Sequence, residues 1–320
     1  MQIVRDLTVR PEGLVGTALT IGAYDGVHLG HRAILGAVRT RAEELGVASA
    51  VVTFDRHPAE VVRPESAPRL LTDLDQKLEL LATTGVDYAV VIPFDAERAL
   101  EPADVFVRTI LVDLLGARSV TVGEDFHFGH RRQGNVELLA ELGQELGFEV
   151  TGKRLVALDG SIARDDASVS STAIRRALVE GRLHDANAML GRPYEMRGPV
   201  VHGDERGRTI GFPTANVAVG ARMLMPSDGI YAGRLGRPDG SWRNAAIYLG
   251  HRPTFYSDEA DVVLEVHVLD FDGDLYGEMA RVTFEHRIRG DLRFDGIDAL
   301  VAQLRVDCAE AVRLMGTFAP

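Results

Sequence analysis

The hydrophobic pattern of this 320-residue chain changes character near its middle. In the first half, short apolar runs alternate with segments whose apolar positions recur every three or four residues. Runs at 18–22, 48–54, 88–92 and 119–122 read as strands, and segments 30–45, 72–81, 102–116 and 135–146 as helices. Thr72 is expected to cap the second helix with Asp75 as its capping-box partner, and Pro102 to open the third, which Gly116 closes. Ser171 should cap a helix ending near Gly181, and a short helix ends at Gly191. Alternating strands and helices predict a parallel, doubly wound α/β sheet of the Rossmann-like kind.

Beyond Gly191 strand patterns dominate, at 196–202, 230–235, 244–249, 262–269 and 281–286, separated by turns such as Pro238-Asp239-Gly240 and Asp272-Gly273. One amphipathic helix, 297–315, closes the chain. This half predicts a small antiparallel β-barrel with a C-terminal helix. The domains are expected at 1–186 and 187–320, with no internal repeat.

Composition narrows the function classes. A formal net charge of −12 argues against a broad nucleic-acid surface but allows a local basic pocket. The single cysteine, Cys308, excludes an intrachain disulfide and a cysteine-rich zinc site, and its helical apolar surroundings predict a small buried hydrophobe. No eighteen-residue apolar run occurs, and residues 1–10 lack a secretion-signal core. A soluble, cytoplasmic protein without a membrane partner is expected.

The densest chemical signal is segment 198–216, G-P-V-V-H-G-D-E-R-G-R-T-I-G-F-P-T-A-N. Gly203, Gly207 and Gly211 free a loop to turn its amides toward an anion, and Arg206 and Arg208 supply charge. Thr214 and Asn216 point the same way on a strand and can share one Mg²⁺. Phosphate held against a metal predicts phosphoryl transfer. Glu265, in V-V-L-E-V-H-V-L, shares a strand face with Val263 and His267; it is either a solvent-facing glutamate or a carboxylate with a purpose. The first strand runs into G-A-Y-D-G-V-H-L-G-H, residues 22–31, neither a dinucleotide fingerprint nor a Walker A loop. Its two histidines, His28 and His31, lie three apart at a helix start and face one side. They are either ordinary surface or metal-binding histidines or donors to a phosphate. Ser171, Thr172 and Arg175 open a later helix with the groups a polyphosphate tail needs, although for this segment alone a simple capped helix with an exposed arginine is the favoured reading.

Together these segments carry a family resemblance. The loop at 22–31, T-F-D-x-H-P at 53–58, G-E-D-F-x-F-G at 123–129 and S-S-T-x-I-R at 170–175 resemble the adenylyltransferase module of bacterial bifunctional riboflavin kinase/FAD synthetases. The G-R-x-x-G-F-P-T-A-N segment and L-D-F-D-G-D-L-Y-G at 269–277 resemble the riboflavin kinase module, so the match runs in order over nearly the whole chain. The resemblance implies ATP, riboflavin and FMN as small-molecule partners, with Mg²⁺. It implies that His28 and His31 stabilise the α-phosphate of ATP while FMN attacks it, and that pyrophosphate leaves toward Ser171, Thr172 and Arg175. Gly22, Asp25 and Gly26 would line the nucleotide loop, Asp125 would lie near the transfer site, and Phe54 and Phe128 would pack on the flavin. In the barrel, Glu265 would be the general base, Thr214 and Asn216 the metal ligands, and Gly203, Arg206 and Gly207 part of the phosphate-covering loop. Arg289, with Asp291 and Phe294, would belong to a flavin-side loop.

Four positions depart from the family pattern. Arg56 stands where a proline is usual, and Ser168 where an arginine is usual, the nearest being Arg164. Tyr248 and His251 are bulkier than the usual residues near the kinase segment. They leave open a divergent paralogue with one half-reaction weakened or another acceptor. They also leave open a flavin- or nucleotide-binding sensor without turnover. The thinner phosphate grip predicts that FAD formation is the slower step.

Overall fold

The computed structural model describes residues 1–154, 168–203, 206–252 and 261–316; Arg164 lies outside them, and for Arg206 and His251 only the backbone is described. Contacts divide the chain into two compact units, Met1–Ser171 and Thr172–Pro320.

The first unit contains β1 (Gln2–Val4), β2 (Thr17–Ile21), α1 (Leu29–Leu45), β3 (Ala48–Phe54), α2 (Ala59–Val62), α3 (Leu74–Ala82) and β4 (Tyr88–Ile92). It continues with α4 (Ala96–Ala99), α5 (Ala103–Phe106), β5 (Ala117–Gly123), α6 (Val136–Leu146) and β6 (Glu149–Lys153). The strands form one sheet in the order β1-β4-β3-β2-β5-β6, parallel throughout. Its apolar strands are buried on both faces, as helical crossovers require. One face packs Leu19, Val52, Val90 and Val120 against Phe106, Leu111 and Leu139, and the other packs Val51 and Val91 against Leu35, Leu78 and Leu81.

The expected α/β architecture is therefore present, with local corrections. Asp73, not Thr72, caps α3, its carboxylate accepting from Gln76 N. The expected helix between Pro102 and Gly116 starts as α5, then widens into π turns over Val107–Leu114. The edge strands β1 and β6 have no counterpart in the pattern reading, because they are short and largely exposed and so lack an apolar face to read.

The second unit begins with α7 (Ser171–Val179), whose first residue belongs to the first unit, and α8 (Leu183–Leu190). There follow β7 (Tyr194–Val201), α9 (Arg206–Thr209), β8 (Ala215–Val217), β9 (Gly229–Gly236), β10 (Trp242–Arg252), β11 (Asp261–Val268), β12 (Met279–Arg289) and α10 (Ile297–Met315). The six strands close into an antiparallel barrel in the order β10-β11-β8-β7-β12-β9. Tyr231 and Phe284 meet edge to face in its core, with ring centroids 5.2 Å apart. Helix α10 packs Ala311, Cys308, Leu314 and Met315 against Ala232 and Ala246. Cys308 is only half-buried, and burial pushes its thiol up to about 11. A thiol raised in this way stays protonated at neutral pH and is a weak nucleophile.

Candidate active sites

In the first unit the chemistry gathers at the C-terminal ends of β2 and β3, where open parallel sheets bind ligands. After Gly22 N donates to Val52 O at 3.0 Å, the chain leaves β2 in a tight loop. Tyr24, Gly26 and Val27 all have positive φ there (51°, 86° and 39°). Two of the three are not glycine, so tertiary contacts must hold this backbone. Asp25 provides most of that hold. Its buried carboxylate accepts from Leu71 N at 2.9 Å, from Thr72 N at 3.0 Å and from the Thr72 hydroxyl at 3.2 Å. The Thr72 hydroxyl in turn accepts from Gly26 N at 3.1 Å. The Asp25 carbonyl accepts the Ser171 hydroxyl at 2.9 Å.

The loop delivers His28 to the N-cap of α1. Its Nδ1 accepts from His31 N at 3.3 Å, so a neutral His28 ring carries its proton on Nε2. The two imidazoles stack with centroids 3.6 Å apart and planes 17° from parallel. His31 also lies 4.7 Å from the ring of Tyr24, a buried phenol whose pKa is raised by burial and whose hydroxyl meets Thr20. Gly30 must be small: a Cβ there would approach Val169 O to 3.0 Å and the His28 ring to 3.2 Å. Histidines three apart thus become a stacked pair at a helix start, where free N–H groups favour an anion.

The remaining candidates outside the barrel are more dispersed. Phe54 is half-buried at the end of β3, with Phe94 edge-on at 5.3 Å. Phe128 stacks on Phe126 at 5.4 Å and packs on the sheet core. Asp125 is exposed after β5. Arg56 is exposed and ion-paired with Asp55 at 3.0 Å. Burial works to raise the Asp55 carboxyl, but the bonds from Arg56 and from Phe94 N outweigh it and hold it below the usual range. Thr172 is exposed and Arg175 half-buried on α7.

Lys77 escaped the sequence reading, and Thr72, expected as a helix cap, is instead a partner of Asp25. Lys77 is buried on α3, and its ammonium donates to Phe54 O at 2.7 Å and Ala23 O at 3.3 Å. Burial lowers its pKa to about 8, against the pull of Asp25, Asp55 and Glu60. The available signal was a lysine next to Leu78 and one turn before Leu81, on the inward face of α3.

In the second unit the candidates lie on the outer face of the barrel. Along β11, Leu264, Val266 and Val268 point inward, while Glu265 and His267 stay half-buried outside. Glu265 pairs in register with Asn216 of β8 on one side and Tyr248 of β10 on the other. Paired residues of antiparallel strands share a face. The Thr214 hydroxyl lies 3.5 Å from Glu265 Oε2. The segment preceding β8 folds directly onto these groups. A Cβ at Gly203 would reach Asn216 Cγ at 2.6 Å, and one at Gly207 would collide with Phe212 O and come within 3.5 Å of the Thr214 hydroxyl. His267 secures that segment by bonding Pro213 O at 2.7 Å, a role the strand pattern did not reveal. Arg289 has a structural partner: its guanidinium makes a two-point pair with the buried Asp307 of α10, at 2.9 and 2.6 Å.

Thr214, Asn216 and Glu265 therefore form one cluster of hard oxygen donors under a glycine-dependent loop. Mg²⁺ takes few protein ligands and completes its shell with phosphate and water, so this donor set fits it. Among the described residues, no group of three or more His, Cys, Asp or Glu side chains could hold a metal.

Comparison with known proteins agrees with the two-unit division of labour. The FAD synthetase family model matches residues 11–173, and the riboflavin kinase model matches residues 190–315. The chain belongs to the bifunctional riboflavin kinase/FMN adenylyltransferase family. The bifunctional riboflavin kinase/FMN adenylyltransferase of Haemophilus influenzae is 39% identical, the match covering 97% of this chain and 98% of the relative. That of Pseudomonas fluorescens is 41% identical over 97% of both. A crystal structure named for a macrolide-efflux protein from Streptococcus pneumoniae superposes with a TM-score of 0.82 at 29% identity, covering 97% of this chain and 98% of that one. That name concerns the pneumococcal protein; here no helix among the described residues is long and apolar enough to cross a membrane.

Proposed function

We propose that the chain phosphorylates riboflavin to FMN at the barrel cluster and adenylylates FMN to FAD at the histidine loop, with ATP as the donor in both steps. The observation that carries this reading is the meeting of Thr214, Asn216 and Glu265 beneath Gly203 and Gly207. A bare binding protein has no need of a carboxylate base set beside oxygen donors for a metal.

In the barrel reaction, Glu265 takes the proton of the ribityl 5′-hydroxyl, the hydroxyl oxygen bonds to the γ-phosphorus, and ADP leaves. Thr214 and Asn216 would hold Mg²⁺, which when bound neutralises charge on the ATP phosphates. The backbone at Gly203, Arg206 and Gly207 covers those phosphates. In the adenylyl transfer, a phosphate oxygen of FMN attacks the α-phosphorus of ATP, and the α–β bridge breaks to release pyrophosphate. His28, donating from Nε2, and His31 stabilise the charge gathering on the α-phosphate. Gly22 and Gly26 shape the loop, and Asp25 serves by fixing it rather than by touching nucleotide. Ser171, Thr172 and Arg175 are assigned to phosphate on the resemblance, as are Asp125 near the transfer site and Phe54 and Phe128 at the flavin. Because α7 carries those phosphate residues, we draw the functional division at 1–186 and 187–320. Arg289 supports the flavin-side loop through Asp307.

Chromatography of products from riboflavin, ATP and Mg²⁺ tests the proposal. FMN should accumulate first and FAD follow more slowly. Absence of both products would overturn the proposal and leave the sensor reading or a different acceptor. FAD forming from supplied FMN faster than FMN forms from riboflavin would refute the weaker adenylyl step.

A further inference from the structure

The ladder between β2 and β3 ends where Gly22 N donates to Val52 O. Phe54 lies two residues beyond Val52, so its carbonyl faces the same side, but by then the β2 chain has turned away into the histidine loop. The ammonium of Lys77 stands in for the departed strand, donating to Phe54 O at 2.7 Å and to Ala23 O at 3.3 Å. Ala23 O also accepts the Thr53 hydroxyl at 3.2 Å. One buried cation therefore ties the root of the histidine loop to the root of the segment that carries Phe54.

The position is costly to maintain. Lys77 is 7% exposed, and burying an ammonium is unfavourable unless it is paired and hydrogen-bonded. Asp25 and Asp55, from two different segments, line the same small cleft as Lys77 together with Arg56 and His57, and Glu60 adds to the negative charge that favours the ammonium. Asp25 is itself held by Leu71 and Thr72, just before α3. Segment 71–77 thus grips the histidine loop at two points.

We propose that Lys77 is a positioning residue of adenylyl transfer, fixing the separation between the phosphate-stabilising histidines and the flavin-side end of β3. The proposal rests on the assignment of FAD formation to this unit. Lys77 touches no reacting atom; it acts through two carbonyls.

The test uses the full chain and two substitutions. Lys77→Met should lower kcat for FAD formation from supplied FMN about 10- to 100-fold, the scale on which misplaced reacting groups slow catalysis. Its KM for ATP should change little, and FMN formation by the same sample should stay at the wild-type rate. Lys77→Ala opens space beside the cleft, and ethylammonium should raise its FAD-forming rate saturably where sodium chloride at equal ionic strength does not. A Lys77→Met rate within twofold of wild type overturns the proposal. So does a Lys77→Ala variant that ethylammonium rescues no better than salt, and that titration decides the matter even where Lys77→Met folds poorly. A wild-type chain that forms no FAD would instead remove the functional assignment beneath it.

Discussion

Replacing Asp25 with alanine probes whether this carboxylate holds the histidine loop or binds nucleotide. In the folded protein it satisfies Leu71 N, Thr72 N and the Thr72 hydroxyl, and both of those residues are buried, at 1% and 4% exposure. Alanine leaves two amides with neither protein nor water. At about 2 kcal/mol for each buried unsatisfied N–H, the loss is about 4 kcal/mol, a urea midpoint shift of about 2 M at an m-value of about 2 kcal/mol/M. Asparagine keeps one acceptor oxygen but turns an NH₂ toward a donor, so about half that loss is expected. The single tryptophan, Trp242, sits in the barrel on β10, so its fluorescence reports the second unit and far-UV circular dichroism must follow the first. Asp25→Ala should lower the dichroism-detected transition, leave the Trp242 transition in place, and depress FAD formation while FMN formation persists below the unfolding range. A dichroism midpoint within about 0.3 M of wild type, with FAD formation lost, would show that Asp25 acts on the nucleotide and that the latch reasoning is wrong.

Other outcomes follow from the same geometry. Glu265→Gln should abolish FMN formation while supplied FMN is still adenylylated, and His28→Ala should do the reverse; equal loss of both activities in folded samples would contradict two separate sites. Gly203→Ala, whose new Cβ would press on Asn216 Cγ, should slow the kinase step at least tenfold and spare adenylylation, read from initial rates of each half-reaction. Lys77 also predicts a pH signature, since its folded pKa of about 8 lies below the ordinary 10.5. Between those values the unfolded chain binds more protons, so wild-type stability rises with pH. Relative to Lys77→Met the gain from pH 7 to 9.5 should be about 2 kcal/mol, measured by denaturant titration. An unchanged difference would mean that the ammonium is not held out of water.

Much of the fold was legible because it rests on local periodicity. Residues 48–54, 88–92 and 297–315 form the expected elements with the expected bounds, since each has an apolar run or stripe that only one period explains. The edge strand β6 escaped because its side chains are largely exposed, so it carries no buried face to announce it. Thr72 looked like a helix cap because hydroxyls at helix starts usually are, but Asp73 takes that role. Thr72 instead meets Asp25, a partner 47 residues away that no local rule could supply.

The candidate sites divide along the same line. The sequence by itself determined which groups are present: two histidines a helical turn apart, a glycine-rich segment ending in Thr214 and Asn216, and a glutamate in an apolar strand. Tertiary structure alone decided which of them meet. Glu265 faces Asn216 because β8 and β11 pair in register, and Arg289 is drawn to Asp307 because α10 folds back on the barrel. The Lys77 ammonium meets Phe54 O because β2 turns away after Gly22, two residues before β3 presents that carbonyl. The reason is physical: side-chain periodicity is a property of a few consecutive residues, whereas the pairing of strands and the burial of a charge are set by segments that meet only once the chain has folded.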